Sequence, residues 1–263
     1  MRHDRLSGGL LLKMIVGGMF VCAGQQSVLA QGSSVPVQEK ALALYAVKYG
    51  ESLYPASHLF KGDTSGRNVP IAWMFYAIKT GKEIILVDTG FSDTNEAKRS
   101  GVTMLPYRSA LAALGITPES VTKIVLTHTH SDHAANVPLY PNATVIVNRL
   151  EAGSVFLKNV GKERLVTFDE SYVVVPGITV RRVGGHSPGS SYVELAFGGK
   201  TYLLAGDEAY LPENVSELIP VGSFVDSAAN LRFLTMARNS GAVVLTFHDP
   251  AVVKSGCVRQ ILP

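Results

Sequence analysis

Five of the seven histidines in this 263-residue chain lie at or just beyond the ends of segments rich in β-strand formers. Three of them fall within the run HTHSDH at residues 128–133. Functional side chains gather in loops at the ends of strands, and zinc and similar cations accept a mixture of imidazole and carboxylate ligands. The pattern therefore predicts a metal site, and its five histidines are His128, His130, His133, His186 and His248.

The spacing within the run predicts two neighbouring cations. Residues two apart on an extended segment point to the same side, so His128 and His130 can present both imidazoles to one cation. The chain then turns, and Asp132 and His133 point in a different direction, toward a second cation. Two cations need further ligands and compensating negative charge from later segments. The candidates are His186 in GGHSPG, Asp207 in AGD and His248 in TFHD.

The segments that must position these side chains are short and apolar. Residues 123–127 (KIVLT) run directly into the histidine run, and residues 242–247 (AVVLTF) run into His248. A hairpin is predicted from residues 71–80 and 83–88. Further strands are predicted at residues 41–47, 144–147, 172–175, 178–183, 192–197 and 201–205.

Helical apolar spacing predicts helices over residues 106–114, around residues 149–157 and over residues 227–239. Strands and helices therefore alternate in both halves of the chain, and no linker-like stretch separates the halves. This order predicts an α+β fold with two β-sheets flanked by helices in a single domain.

Residues 1–30 have the parts of an export signal. Basic residues precede the apolar run 14–23, and Ala30 ends a Val-Leu-Ala cleavage site. The apolar run is shorter than the roughly 20 residues needed to cross a bilayer, and an uncleaved membrane anchor is the alternative. We predict cleavage after Ala30, a periplasmic or secreted mature domain of residues 31–263, and no stable membrane insertion after cleavage.

The composition narrows the class of partner. Hydrophobic residues make up 46% of the chain and charged residues 17%, a balance typical of globular proteins. Outside residues 1–30 the chain has 21 basic and 20 acidic residues, which gives no electrostatic reason to expect a nucleic-acid partner. Only Cys257 remains there as a cysteine, so no internal disulfide is expected. The sequence leaves a homodimer open.

The motifs HTHSDH, GGHSPGS, AGD and TFH, with LVDTG at residues 86–90, resemble those of the metallo-β-lactamase superfamily. The resemblance extends over about residues 40–250 and implies an αββα sandwich with two zinc ions at one edge, other divalent transition metals being alternatives. It implies a first zinc on His128, His130 and His186, a second on Asp132, His133 and His248, and Asp207 bridging them. It also implies that Asp88 supports the site without binding metal.

Within the superfamily, the sequence is most similar to the N-acyl-homoserine lactonases, which implies quorum quenching. Asp207 stands where the β-lactamases have cysteine or another residue, and Tyr210 completes an Asp-x-x-Tyr motif whose tyrosine points at the substrate carbonyl in the lactonases. Residues 54–63 (YPASHLFKGD), with PIAW at 70–73 and IILVDTGF at 84–91, also resemble this subfamily. Ser131 departs from it, because the lactonases carry a bulky residue there that walls the acyl pocket.

These ligands predict a dinuclear zinc hydrolase that opens a lactone ring. Metal coordination lowers the pKa of water to about 7, so a metal-bridging hydroxide is expected to attack the carbonyl. Tyr210 then assists at the carbonyl oxygen, and Asp132 or the second zinc assists departure of the ring oxygen.

Three alternatives stay open: an exported β-lactamase, another ester or thioester hydrolase of the same fold, and a non-catalytic metal-binding partner protein. His58 is interpreted as a loop or lid residue rather than a ligand, and Glu208 has no assigned role, with a solvent-facing position and an influence on the site both left open.

Overall fold

Eight strands, most of them from the first two thirds of the chain, form one mixed sheet in a computed structural model. The structure describes residues 42–263, and the segment predicted to be an export signal lies outside these residues. The strands are β1 (Leu42–Pro55), β2 (Asn68–Thr80), β3 (Glu83–Val87), β4 (Thr103–Met104), β5 (Lys123–Val125), β6 (Thr144–Asn148), β7 (Leu165–Phe168) and β13 (Val258–Leu262). Their order is β13-β1-β2-β3-β5-β6-β7, and β4 pairs with β1.

The direction of the strands changes across this sheet. Strands β1, β2 and β3 are antiparallel, whereas β3, β5, β6 and β7 run parallel to one another. Strands β2 and β3 form the predicted hairpin, and Gly81 in its turn has φ 58°. Glycine is favoured there because a Cβ disfavours the left-handed region.

The other five strands form a second sheet. They are β8 (Ser171–Val175), β9 (Ile178–Arg182), β10 (Ser191–Phe197), β11 (Lys200–Leu204) and β12 (Val243–Leu245), in the order β12-β11-β10-β9-β8. Neighbours are antiparallel except β11 and β12, which are parallel. Strands β9, β11 and β12 therefore run in the same direction, and their C-terminal ends lie at the same edge.

Six α-helices occur within residues 42–263, and the three longest of them cover the outer faces of the two sheets. The six are α1 (Ala56–Leu59), α2 (Thr94–Ser100), α3 (Tyr107–Ala113), α4 (Ser131–Ala134), α5 (Pro212–Ser216) and α6 (Ser227–Asn239). Asp93 and Asp226 begin α2 and α6 by accepting hydrogen bonds from backbone N–H groups of the first turn, which would otherwise have no partner.

Three clusters of buried apolar side chains define the layers. One lies between the sheets and joins side chains such as Met74 of β2 to Leu195 of β10. A second packs the first sheet against α2 and α3, and a third packs Tyr192 and Leu203 of the second sheet against Phe233 of α6. The layers are helix, sheet, sheet and helix, which confirms the predicted αββα sandwich.

The helix predicted around residues 149–157 is wrong. The segment forms two 3-10 turns, Arg149–Glu151 and Val155–Leu157, on either side of Gly153. The side chains of Asn148 and Ser154 each accept a backbone N–H bond and start a new turn, so the apolar spacing does not extend into one helix. Seven elements were not predicted: strands β4, β7 and β13 and helices α1, α2, α4 and α5. Among residues 42–263, no helix has both the length and the apolar character needed to cross a membrane.

Candidate metal centre

All seven residues predicted to bind metal lie at one edge of the two sheets. The run 128–133 follows β5 of the first sheet and includes the short helix α4. His186 follows β9, Asp207 follows β11 and His248 follows β12. Because β9, β11 and β12 run in the same direction, three distant segments of the chain deliver their side chains to the same place.

The potential ligand atoms form two groups that share one residue. Each group has one atom per residue, all within 4.8 Å of one another. The first group is His128, His130, His186 and Asp207, and the second is Asp132, His133, Asp207 and His248. This division matches the ligand sets that the family resemblance implied.

The two carboxylate oxygens of Asp207 face different groups. Oδ2 lies 3.8 Å from His128 Nε2 and 3.5 Å from His186 Nε2. Oδ1 lies 3.0 Å from His133 Nε2 and 3.2 Å from His248 Nε2. A carboxylate placed in this way can hold two cations side by side.

The histidine rings are oriented by hydrogen bonds on their outer sides. Nδ1 of His186 donates to the carbonyl of Ser223 at 2.7 Å, and Nδ1 of His248 donates to the carbonyl of Ala72 at 3.0 Å. Their Nε2 atoms are thereby directed at the centre. Such outer partners fix the tautomer and the orientation of imidazole ligands.

Asp88 orients His133 in the same way. Its Oδ2 lies 2.7 Å from His133 Nδ1 and accepts the hydroxyl of Thr127 at 2.7 Å, while Oδ1 accepts the Thr127 backbone N–H. Asp88 is fully buried and has φ 64°, a conformation uncommon for residues other than glycine. The role that the resemblance implied for Asp88, support without metal binding, agrees with this geometry.

The centre concentrates negative charge in a buried place. Burial disfavours the charged form of His133, yet the carboxylates of Asp207, Asp132 and Asp88 outweigh burial and raise its pKa well above the ordinary value. Burial and the neighbouring His133 lower the pKa of His128 well below its usual range. Burial disfavours the Asp207 carboxylate, but the nearby histidines still hold its pKa well below normal. Metal binding requires neutral imidazoles and ionised carboxylates, so a bound cation would take the place of the proton that the three carboxylates favour on His133.

Two buried imidazole nitrogens test whether the residues fit a cation. Within the described part of the chain, Nε2 of His128 and Nε2 of His133 have no hydrogen-bond partner. His133 Nε2 lies 3.1 Å from Asp132 Oδ2, but without hydrogen-bond geometry. An unsatisfied buried polar atom costs about 1–3 kcal/mol. Coordination of divalent cations would give both atoms a partner and balance the carboxylates, so the donor set fits two such ions.

A cavity of about 210 Å³ opens onto the centre. Its lining includes the aromatic side chains Tyr54, Trp73 and Phe91 as well as Tyr210. The Tyr210 ring packs against those of His248 and His186, with centroids 5.0 Å and 6.0 Å apart. Burial and the Asp207 carboxylate raise the pKa of Tyr210 well above its ordinary value, so its hydroxyl keeps its proton.

Other residues behave differently from the sequence expectation or were not identified. Glu208, which had no assigned role, is fully buried, and its Oε1 accepts the backbone N–H groups of Gly185 and His186, each at 3.0 Å. His58 lies in the short helix α1 and not in a loop; it is exposed and bonds to Ser223 Oγ, outside both groups. Glu151 was not identified from the sequence, because it belongs to no recognisable motif and its contacts form only in the folded chain.

Comparison with known proteins places the chain in a family. The model of the metallo-beta-lactamase superfamily matches residues 69–248. An N-acyl homoserine lactonase of Bacillus thuringiensis is 28% identical over 238 residues, which cover 81% of this chain and 95% of the relative. A crystal structure of a quorum-quenching N-acyl homoserine lactone lactonase matches with a TM-score of 0.68 and 22% identity, over 81% of this chain and 94% of the other. AidC, a dizinc quorum-quenching lactonase, matches with a TM-score of 0.63 and 17% identity, over 84% and 94%.

This chain belongs to the metallo-beta-lactamase superfamily. The family and the fold predicted from the sequence motifs are therefore confirmed. The prediction of an enzyme is confirmed as well: the chain is a metal-dependent hydrolase of this superfamily.

Proposed function

We propose that this protein opens the lactone ring of N-acyl-homoserine lactones. The observation that carries the proposal is the cavity in which Asp207, Tyr210 and the aromatic side chains meet. The relatives named as lactonases support it, because the similarity extends over 95% of the length of the Bacillus thuringiensis enzyme.

The proposed cofactor is a pair of zinc ions. His128, His130 and His186 would hold the first, Asp132, His133 and His248 the second, and Asp207 both. When bound, the two ions supply an acidic water molecule and polarise the ester carbonyl. The dizinc description of AidC supports this choice of metal.

Tyr210 is assigned to the carbonyl oxygen of the lactone. Its hydroxyl stays protonated, and its ring is held in place by His186 and His248. It can therefore donate a hydrogen bond to the oxygen as negative charge develops there, which is worth about 2.7–4 kcal/mol for a well-placed donor.

Asp132 is assigned to the leaving ring oxygen. Its carboxylate lines the same cavity as Tyr210 and lies beside His133 Nε2. From this position Asp132 Oδ2 could take the proton that the attacking hydroxide loses and pass it to the ring oxygen as the ester bond breaks.

The acyl chain is assigned to the aromatic side of the cavity. Trp73 packs edge-on against Tyr54 and Phe91, with ring centroids 5.8 Å and 6.1 Å apart. Apolar walls with a few polar groups are typical of small-molecule sites. Ser131 lies on the lining with its hydroxyl 3.3 Å from a Glu96 carboxylate oxygen, so this part of the wall is small and polar.

The test combines metal analysis with substrate comparison. Zinc-loaded protein is analysed for metal content, and ring opening is measured with acyl-homoserine lactones of graded chain length. A chromogenic cephalosporin and a thioester serve as control substrates. About two metal ions per chain and preferred turnover of lactones are expected. Faster hydrolysis of the cephalosporin or the thioester would refute the substrate, and one metal ion or none would refute the bridging role of Asp207.

We also propose that the chain is exported and cleaved after Ala30. The basic, apolar and small-residue parts of residues 1–30 support this. N-terminal sequencing of the protein from periplasmic and culture fractions is expected to begin at Gln31, and recovery of the intact N-terminus in the membrane fraction would contradict cleavage.

A further inference from the structure

Glu151 is a buried residue whose carboxylate accepts hydrogen bonds from the two loops that carry the histidines of the first group. It lies in the turn directly after β6, and only 9% of its surface is exposed. Oε2 accepts the Thr129 hydroxyl at 2.7 Å and the Thr129 backbone N–H at 3.3 Å. Oε1 accepts the Ser187 hydroxyl at 2.7 Å and the Gly189 backbone N–H at 3.0 Å.

These four bonds join two loops that are far apart in sequence. Thr129 lies between His128 and His130, and Ser187 directly follows His186. A single carboxylate therefore ties together the segments that supply all three histidines of the first group. Hydrogen bonds of this kind to a charged acceptor are stronger than those between neutral groups.

The turn that carries Glu151 is itself held in place. Asn148 Oδ1 accepts the backbone N–H of Leu150 at 3.0 Å, and its amide donates to the carbonyl of Asp169 at 2.7 Å. On the opposite side, a Cβ at Gly189 would lie 2.6 Å from Glu151 Cγ. Only glycine permits this close approach, so the carboxylate and the histidine loop fit together without space for adjustment.

The second group of ligands depends on other partners. His133 is oriented by Asp88, and His248 by the carbonyl of Ala72. Within residues 42–263, every hydrogen bond of the Glu151 side chain goes to Thr129, Ser187 or Gly189. Removal of the carboxylate would therefore disturb the two cation positions unequally.

We propose that Glu151 is a positioning residue that sets the metal affinity of the first group, His128, His130 and His186, and leaves that of the second group unchanged. The inference rests on the proposed dinuclear centre. Partners that hydrogen-bond metal ligands contribute about 10–100-fold to metal affinity, and Glu151 acts one step further out, through four bonds to residues beside the ligands.

The substitution Glu151→Gln separates this role from packing. Glutamine has nearly the same shape, but one of its two acceptor oxygens becomes an NH₂ group. That group must face either the Thr129 donors or the Ser187 and Gly189 donors, so one of the two loops loses its hydrogen bonds to residue 151. Glu170→Gln is the matched control, because the Glu170 side chain is 82% exposed.

Zinc affinity is measured by chelator competition in two single-position backgrounds. His248→Ala removes a ligand of the second group and His130→Ala a ligand of the first. In the His248→Ala background, Glu151→Gln is expected to weaken zinc binding about 10–100-fold and to change the visible spectrum of bound Co²⁺. In the His130→Ala background it is expected to change neither, and Glu170→Gln is expected to change neither in both.

Equal loss in the two backgrounds, or no loss in the first, would overturn the inference. If circular dichroism shows that Glu151→Gln is unfolded, Ser187→Ala removes one of the four bonds and is expected to weaken the same position by a smaller factor. No selective loss with Ser187→Ala would then overturn it. The titrations need no lactone, so a protein that binds two zinc ions without lactone turnover counts against the proposed function alone.

Discussion

Replacement of Asp88 by asparagine tests how the second group of ligands is oriented. Asparagine keeps the size of the side chain and tolerates φ 64°. In the native chain, Asp88 Oδ2 accepts both the Thr127 hydroxyl and His133 Nδ1. With the new oxygen bonded to the Thr127 N–H, the new NH₂ group points at His133 Nδ1, which then has to accept rather than donate. Its proton moves to Nε2, the atom that faces the centre.

The expected magnitude follows from these contacts. A partner that orients a histidine ligand contributes about 10–100-fold to metal affinity, so the second position is expected to weaken by that factor. The metal-free protein is also expected to lose about 1.5–3 kcal/mol of unfolding free energy, since the lost bond is buried and involves a charged acceptor.

Zinc competition and urea unfolding of the metal-free protein measure the two effects separately. Asp169→Asn is the control, because it removes an aspartate from an exposed ion pair with Arg149, a kind of pair that contributes little to stability. The reasoning would be refuted if Asp88→Asn bound two zinc ions as tightly as the native protein, or if it weakened the first position as much as the second.

Three further perturbations have defined outcomes. Tyr210→Phe removes the hydroxyl, so it is expected to lower kcat for lactones about 10²–10³-fold. The ring contacts with His186 and His248 stay, so the metal content is expected to be retained. Unchanged kcat in steady-state kinetics would contradict the role assigned to Tyr210. Removal of metal by a chelator is expected to lower Tm, because a ligand bound only to the folded state stabilises it; calorimetry before and after zinc is restored measures this, and a Tm unaffected by the chelator would contradict the centre. The side-chain hydrogen bond from Lys123 lowers the pKa of Glu83. Its stabilising contribution is therefore present at neutral pH, above the unfolded pKa of about 4.3, and is lost as pH falls through the lower folded value. The difference in unfolding free energy between native protein and Glu83→Gln is expected to shrink from pH 7 to pH 3, and a constant difference would contradict this.

Membership of the superfamily restricts the class of reaction more than it restricts the substrate. The fold is shared by proteins with many activities, so substrate has to be argued from the site. In the proposed function the aromatic side of the cavity would hold the acyl chain, while Ser131 with Glu96 makes part of the wall small and polar. Graded lactones therefore test both the substrate class and the size of group that the wall accepts.

The amino-acid sequence was sufficient to predict the layers of the fold and which seven side chains gather at one edge of the sheets. The type of a side chain determines whether it can bind a metal. The two-residue spacing places His128 and His130 on the same side of an extended backbone, which is a local property of the chain. The apolar segments before the predicted ligands do form strands, and each ligand lies shortly after the end of one of them. The hairpin of β2 and β3 was also predictable, because its two strands are neighbours in the sequence and only a short turn joins them.

Local pattern failed where pairing or capping decided the structure. The apolar spacing of residues 149–157 is compatible with a helix, but Asn148 and Ser154 divide the segment into two turns. Strand β13 pairs with β1, the first described strand of the chain, and such a distant partner leaves no local signal.

Only the tertiary structure decided how the ligands are held. Asp88 and His133 are 45 residues apart, and Glu151 and Ser187 are 36 apart, so no spacing rule joins them. The division of Asp207 between two groups likewise depends on β9, β11 and β12 ending at one edge. Side-chain type determines which atoms can bind a metal, whereas burial and long-range hydrogen bonds determine where those atoms point and in which protonation state.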